Sequence, residues 1–187
     1  MLNFSNRGTW PFFVVIVLLI LPSCMSREGM QKEQDELLRD LGVNDPADFA
    51  ALSTCEQVKV FAEVGSTRVD IDHMTSIVPT WMDEELAKQP REDLAECIVS
   101  QANEAFMEWE QAPTNQRADS SYRIHALLYK ANELDLLEYP EVERLFQRAI
   151  CEDKIRKNGQ LIIIDYLYRF PGDYPPLVEM EKALCMP

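Results

Sequence analysis

Apolar residues recur at every third or fourth position through most of this 187-residue chain, and this spacing is the feature that most restricts its fold. Between Asn44 and Gly65 the apolar stripe consists of Phe49, Leu52, Cys55, Val58, Phe61 and Val64. Residues three and four positions apart share one face of an α-helix, whereas residues of a half-buried strand would alternate between apolar and polar. The spacing therefore predicts amphipathic helices packed around one core, and the expected fold class is all-α.

Capping residues and prolines predict where these helices begin and end. Gly42 is expected to close one helix, and Asn44-Asp45-Pro46 is expected to start the next, with a capping side chain and a proline in the first turn. The segment from Ser66 to Thr80 is expected to be a loop with room for one short helical turn. The expected helices cover residues 30–41, 46–64, 80–88, 90–113, 114–138, 140–157, 161–170 and 175–184.

Two segments of the second half resemble each other at an interval of about 35 residues. Tyr139-Pro140 leads to Cys151, and Tyr174-Pro175 leads to Cys185. A helical-hairpin unit of this length is typical of stacked α-repeats such as TPR, although none of the TPR consensus residues falls in register. The pattern fits either an irregular helical bundle or a short stack of helical hairpins.

The beginning of the chain has the order of an export signal. Arg7 precedes an unbroken apolar run from Phe12 to Leu21, and a turn-forming Pro22 follows this run. A membrane-spanning helix needs about 20 consecutive apolar residues, so the run is too short to span a bilayer. A basic start, a short apolar middle and small residues after it predict a signal peptide that is removed.

The sequence Leu21-Pro22-Ser23-Cys24 resembles the lipobox of bacterial lipoproteins. The resemblance implies that the Cys24 thiol receives a diacylglyceryl group, that the chain is cut just before Cys24, and that the new amino terminus is acylated. Two or three acyl chains hold a protein stably to a membrane, whereas one chain holds it only marginally. Two alternatives stay open: cleavage after Ser26, which would release a soluble protein, and an uncleaved anchor.

The lipobox resemblance also implies a domain organisation and a location. Residues 1–23 would be the signal peptide, residues 24–29 a tether after the lipidated Cys24, and residues 30–187 a single helical domain. Met25 follows the cysteine, where an Asp would tend to retain the protein at the inner membrane. In a Gram-negative cell the expected location is therefore the outer membrane, facing the periplasm.

Acidic residues dominate the charge of the chain, whose formal net charge is −14. Removal of residues 1–23 would take away Arg7 and no acid, which makes the balance more negative still. Such a charge repels nucleic-acid backbones and anionic lipid headgroups, so membrane attachment is expected through lipid alone and nucleic-acid binding is not expected. The acidic run Asp83-Glu84-Glu85 is expected to be a solvated helix start.

Four cysteines remain besides Cys24, an even number that suits disulfide bonds in an oxidising compartment. Three connectivities are possible, and the repeat pattern favours Cys55 with Cys97 and Cys151 with Cys185, because equivalent positions would face each other on neighbouring helices. Four buried, reduced cysteines are the alternative. A zinc site is not favoured, because no pair has the C-x₂₋₄-C spacing.

Few residues suggest chemistry. Asp70, Asp72 and His73 could place three ligand atoms near one metal ion, although no second histidine stands at ligand spacing. His125 lies within an expected helix and is interpreted as a partly buried core residue. The chain has no nucleophile elbow, P-loop, dinucleotide fingerprint or H-E-x-x-H motif, and no cofactor is expected.

Two classes of function remain open. The favoured hypothesis is a non-enzymatic, membrane-anchored helical protein that binds another protein of the cell envelope, in an oligomeric state that the sequence does not define. The alternative is a small periplasmic enzyme or metal-binding factor that uses Asp70, Asp72 and His73. Aromatic residues dominate interface hot spots. The candidate contact residues are Trp81, Trp109, Tyr166, Tyr168 and Tyr174.

Overall fold

The structure, a computed structural model, describes residues 27–67, 69–70, 75–76 and 78–155. This part is almost entirely helical, which confirms the all-α prediction and fits an irregular bundle. The α-helices are α1 (Arg27–Asp40), α2 (Pro46–Ala50), α3 (Thr54–Thr67), α4 (Thr80–Leu86), α5 (Arg91–Gln111), α6 (Ala118–Glu133) and α7 (Pro140–Ile155). The expected helices over residues 161–170 and 175–184, and with them the second copy of the repeat, lie outside the described residues.

Short non-α segments connect these helices. One turn of 3₁₀ helix, Thr114–Gln116, precedes α6 and another, Leu136–Glu138, follows it. The two-residue strands β1 (Val69–Asp70) and β2 (Thr75–Ser76) pair antiparallel in the segment expected to be a loop. The 3₁₀ turns and the strand pair lie between the α-helices and leave the helical fold unchanged.

The chain divides into two units, residues 1–33 and residues 34–187. Of the first unit, the structure describes residues 27–33, which form the beginning of α1. The core and the site described below belong to the second unit.

The predicted turn between α1 and α2 is confirmed at both ends. Gly42 has a positive φ of 81°, a conformation that glycine adopts without steric cost, and the Val43 amide donates to the Leu38 carbonyl over 2.8 Å. Asp45 is the N-cap of α2, and its carboxylate accepts two backbone hydrogen bonds from the first helical turn. The local sequence thus determines both the end of α1 and the start of α2.

The single helix predicted over residues 46–64 is wrong, because the chain breaks between α2 and α3. The break contains a capping box: the Glu56 carboxylate accepts the Ser53 amide at 2.9 Å and the Ser53 hydroxyl at 2.6 Å. Hydrogen bonds from the Ser53 side chain and backbone lower the pKa of Glu56. The S-x-x-E sequence was therefore the signal for a new helix start at this point.

A buried glutamine donates hydrogen bonds to the backbone at the break between α2 and α3. The Gln57 side chain is fully buried, and its Nε2 donates to the carbonyls of Phe49 at 3.0 Å and Leu52 at 3.2 Å. The Leu52 amide also donates to the Phe49 carbonyl, at 3.1 Å, so side-chain and backbone hydrogen bonds together hold the chain at the break.

The helix predicted over residues 114–138 is also too long. α6 ends at Glu133, and Asp135 takes a left-handed conformation with φ 55°. The Arg91 guanidinium, from the start of α5, donates to the carbonyls of Leu134 at 2.9 Å and Asp135 at 2.6 Å. A side chain that is distant in sequence therefore satisfies the carbonyls at the end of α6.

The core lies among α3, α5 and α6, which pack against one another, while α7 packs on α5 and α4 packs on α2 and α3. The largest side chains that are fully buried there include Trp109, Phe49, Phe61, Phe106 and Phe146. Burying a large apolar side chain contributes about 1.5–3 kcal/mol each, and this packing is the main source of the stability of the bundle. None of the described helices has both the length and the apolar character needed to cross a bilayer.

Candidate functional site

The predicted site residues lie partly outside the part of the chain that the structure describes. Cys24, Asp72 and His73 are outside it, and of Asp70 only the backbone is described, as the β1 residue that pairs with Thr75. Across residues 27–67, 69–70, 75–76 and 78–155, no group of three histidine, cysteine, aspartate or glutamate side chains stands close enough to hold a metal ion. The metal hypothesis at residues 70–73 therefore stays a prediction.

The predicted disulfide between Cys55 and Cys97 is confirmed. It joins the first turn of α3 to α5, with the two Cα atoms 4.8 Å apart. Cys55 is exposed and Cys97 is buried, so the bond runs from the surface into the core. Cys151 is disulfide-bonded as well, and its predicted partner Cys185 lies beyond the described residues, so that pairing stays a prediction.

The structure separates the two described aromatic candidates for partner contact. Trp109 is completely buried beneath Arg117, whose guanidinium carbon lies 4.8 Å from the centre of the indole, so it is a core residue and not a contact residue. Trp81 is only partly buried and meets Phe49 edge to face, with 5.4 Å between the ring centres. Tyr166, Tyr168 and Tyr174 lie outside the described residues.

His125 is buried, more deeply than the sequence suggests. Its exposed fraction is 5%, and its ring lies 6.5 Å from that of Tyr129. This placement agrees with its interpretation as a residue of the core.

A buried lysine paired with two partly exposed carboxylates is the most unusual feature of the described domain. The side chain of Lys130, on α6, is only 3% exposed, and its Nζ lies 2.5 Å from Asp83 Oδ1 of α4 and 2.5 Å from Glu133 Oε2. The same Nζ lies 5.2 Å from the ring centre of Phe61, on α3. Lysine is rarely buried without a partner, and here one lysine serves two carboxylates next to an aromatic face.

Burial and charge act on Asp83 in opposite directions. Burial raises the pKa of Asp83 above its ordinary value, Lys130 lowers it, and the nearby Glu133 raises it again. The net direction is upward, so the ion pair with Lys130 does not fully offset the loss of solvent around the Asp83 carboxylate. The acidic run Asp83-Glu84-Glu85 is therefore not simply a solvated helix start, because its first member lies against the core.

The cluster was missed at the level of sequence, although part of it left a signal. Lys130 stands three residues after the buried Leu127 and four before the partly buried Leu134, so it falls on the apolar face of α6. A lysine at such a position indicates a buried partner of opposite charge. The identity of that partner depends on the tertiary packing of α4 and could not be read from spacing.

Two arginines neutralise carboxylates elsewhere in the bundle. Arg123, on α6, pairs with Glu63 of α3 at 2.8 Å and with Glu108 of α5. Arg148, on α7, pairs with Glu110 of α5 at 2.9 Å, and its guanidinium carbon lies 4.2 Å from the ring centre of Phe106. These contacts connect helices and place positive charge against the domain's own acids.

The fold and the site together define an all-α, disulfide-bonded domain with a buried lysine that two carboxylates share. No protein-family model, no curated protein and no solved structure matches the chain.

Proposed function

We propose that this protein is a lipid-anchored protein of the bacterial cell envelope whose helical domain binds another envelope protein and has no catalytic role. The observation that carries the proposal is the apolar run from Phe12 to Leu21, whose last residue also begins the lipobox-like sequence Leu21-Pro22-Ser23-Cys24. Its order matches an export signal that ends in a lipidated cysteine.

The disulfide between Cys55 and Cys97 supports export, independently of the signal sequence. Structural disulfides form and persist in oxidising compartments and are rare in the reducing cytosol. A cytosolic location would leave this bond reduced, whereas the periplasm would maintain it. The proposed location and the observed covalent link therefore agree.

Trp81 supports the protein-binding part of the proposal. Tryptophan is enriched in interface hot spots because it buries a large apolar surface while keeping a polar N–H group. Trp81 is the described aromatic candidate that is still partly accessible, and it lies on α4, the short helix that also carries Asp83. It is the residue expected to contact a partner.

The anchor can be tested by intact mass of the protein recovered from bacterial membranes, with wild type compared with Cys24→Ala. The expected wild-type mass is that of a chain that begins at Cys24 and carries acyl chains. These chains keep the protein in the membrane fraction, because each buried CH₂ adds about 0.8 kcal/mol of membrane affinity. The variant should lose the acyl mass and leave the membrane fraction. A wild-type chain that starts after Ser26, or one that keeps residues 1–23, would contradict the anchor.

Partner contact can be tested separately, with a photoreactive amino acid in place of Trp81 in cells that produce the lipidated chain. We expect a light-dependent adduct of defined mass at this position, because a partly buried aromatic at an interface lies within bond-forming distance of the partner. The matched control places the same amino acid at Glu143, an exposed position on α7. Identical adducts at both positions, or none at Trp81, would argue against the assignment of this surface.

A further inference from the structure

Asp83 of α4 meets Lys130 and Glu133 of α6 in a group of charges that do not balance. Lys130 supplies one positive charge, whereas Asp83 and Glu133 supply two carboxylates within 2.5 Å of its Nζ. We propose that Asp83, Lys130 and Glu133 form a proton-dependent latch between α4 and α6, which holds α4 more tightly in acidic than in neutral medium. The inference concerns the described domain and does not depend on the proposed membrane anchor.

The helix α4 has little stability of its own. It is seven residues long, and its N-cap is Pro79, which makes no side-chain capping hydrogen bond. Isolated helices shorter than about 12 residues are marginal in water, so α4 depends on the contacts it makes with the rest of the domain. Those contacts are the burial of Met82 and Leu86 and the contact of the Asp83 carboxyl group with Lys130, in which a carboxyl oxygen accepts a hydrogen bond from Nζ.

The three charged side chains of the latch differ in their access to solvent. The Lys130 side chain is 3% exposed, whereas those of Asp83 and Glu133 are 34% and 47% exposed. The lysine therefore stays in the closed site, and the cluster keeps an excess negative charge while both acids are ionised. A proton on Asp83 removes that excess and leaves Lys130 paired with Glu133.

The direction of the proton effect follows from the environment of Asp83. Burial first, and then the charge of Glu133, raise its pKa in the closed state, against the opposing effect of Lys130. When α4 opens, Asp83 returns to water and to its ordinary pKa, so the closed state binds the proton more tightly than the open state. Closure is therefore favoured below the ordinary pKa, and this advantage is lost as the pH rises through the raised pKa.

Charged side chains of α6 and aromatic side chains of α2 and α3 lie around α4 near Asp83. Lys130 and Glu133, both on α6, are the charged groups that act on its carboxyl group. From α2 the contact with α4 is aromatic, through Phe49 against Trp81, and from α3 Phe61 lies beside the Lys130 amine.

Hydrogen exchange of the full chain, followed by mass spectrometry at pH 4.5 and pH 7 and corrected for intrinsic exchange rates, tests the latch. Peptides covering α4 should open more often at pH 7 than at pH 4.5, with at most about a tenfold change per pH unit for one proton. Asp83→Asn should remove this pH dependence, because its amide cannot titrate. Peptides of α5 serve as the internal check that the variant is folded.

Two further variants separate the latch from a general acid effect. Glu133→Gln should move the pH dependence of α4 to lower pH, because the charge that raises the pKa of Asp83 is gone. Glu84→Gln alters an exposed acid of the same helix and should leave the wild-type profile unchanged. Equal protection of α4 at both pH values, tighter closure at pH 7, or a wild-type slope in Asp83→Asn would each overturn the proposal.

Discussion

Replacement of Lys130 with methionine should lower the free energy of unfolding by about 3 kcal/mol, the lower end of the usual cost of breaking a buried ion pair. Methionine keeps most of the apolar stem of lysine and its packing beside Phe61 but removes the charge. The Asp83 and Glu133 carboxylates would then lie close together without a cation. The lower value is expected because both carboxylates have partial access to solvent.

Urea unfolding of the wild type and Lys130→Met at pH 7 measures this loss through the midpoint and the slope of the transition. The loss should shrink in acidic medium, since protonation of Asp83 removes one of the two abandoned charges. Lys88→Met is the matched control, because Lys88 pairs with Glu85 on the surface and its removal should leave the unfolding curve unchanged. Equal effects of the two variants would show that burial of Lys130 contributes nothing.

A double-mutant cycle assigns the loss to the cluster itself. If the loss arises because the Asp83 carboxylate has no cation beside it, Asp83→Asn should recover part of the free energy of unfolding in the Lys130→Met background. The same change in the wild type should cost much less than the Lys130 substitution, because burial already penalises the ionised Asp83. Additive effects of the two substitutions would show that the loss does not arise from the interaction between Asp83 and Lys130.

Loss of the Cys55–Cys97 disulfide should destabilise the domain by about 4 kcal/mol, which is the chain-entropy estimate for a loop of this length. The two cysteines are 42 residues apart in the sequence, so the bond greatly restricts the unfolded chain. The measurement is urea unfolding, under non-reducing conditions, of Cys55→Ala, Cys97→Ala and the double variant. Alanine is chosen because Cys97 is buried and serine would place a hydroxyl group in the core.

The comparison among these three variants is the control. Each single substitution removes the whole bond, so each should cost nearly as much as the double variant, and the effects should not add. Effects that sum would indicate that the cysteine side chains contribute through packing. A loss below about 1 kcal/mol in all three variants would contradict the entropic account.

Local chemistry explains which helix ends could be predicted from sequence. Gly42 and Asp45 act through their own backbone conformation and hydrogen bonds with neighbours in the chain, so their roles were visible before the fold was known. The capping box at Ser53 and Glu56 was equally local, and the continuous apolar stripe concealed it. The end of α6 is different, because Arg91 binds its carbonyls from more than 40 residues away.

The site shows the same division. The disulfide between Cys55 and Cys97 matches one of the three connectivities that the sequence allows, and it forms where α3 packs against α5. The position of Lys130 on the apolar face of α6 indicates a buried charge. Its partner Asp83 lies on α4, whose position depends on the packing of Met82 and Leu86. Tertiary partners of this kind are set by the whole core and not by a local pattern.

The ion pairs within the bundle leave a mainly acidic surface, which would affect how copies of the proposed lipoprotein interact in one membrane. Arg123 and Arg148 are each held by two carboxylates of their own chain, so they add little positive charge to the outer surface. The exposed acids of α5 include Glu92, Asp93, Glu96 and Glu104. Neighbouring copies that diffuse in the same leaflet would repel each other once they approach within a Debye length, about 8 Å at physiological ionic strength. Mutual repulsion would keep such a population dispersed across the membrane plane, each copy with room for a partner beside it.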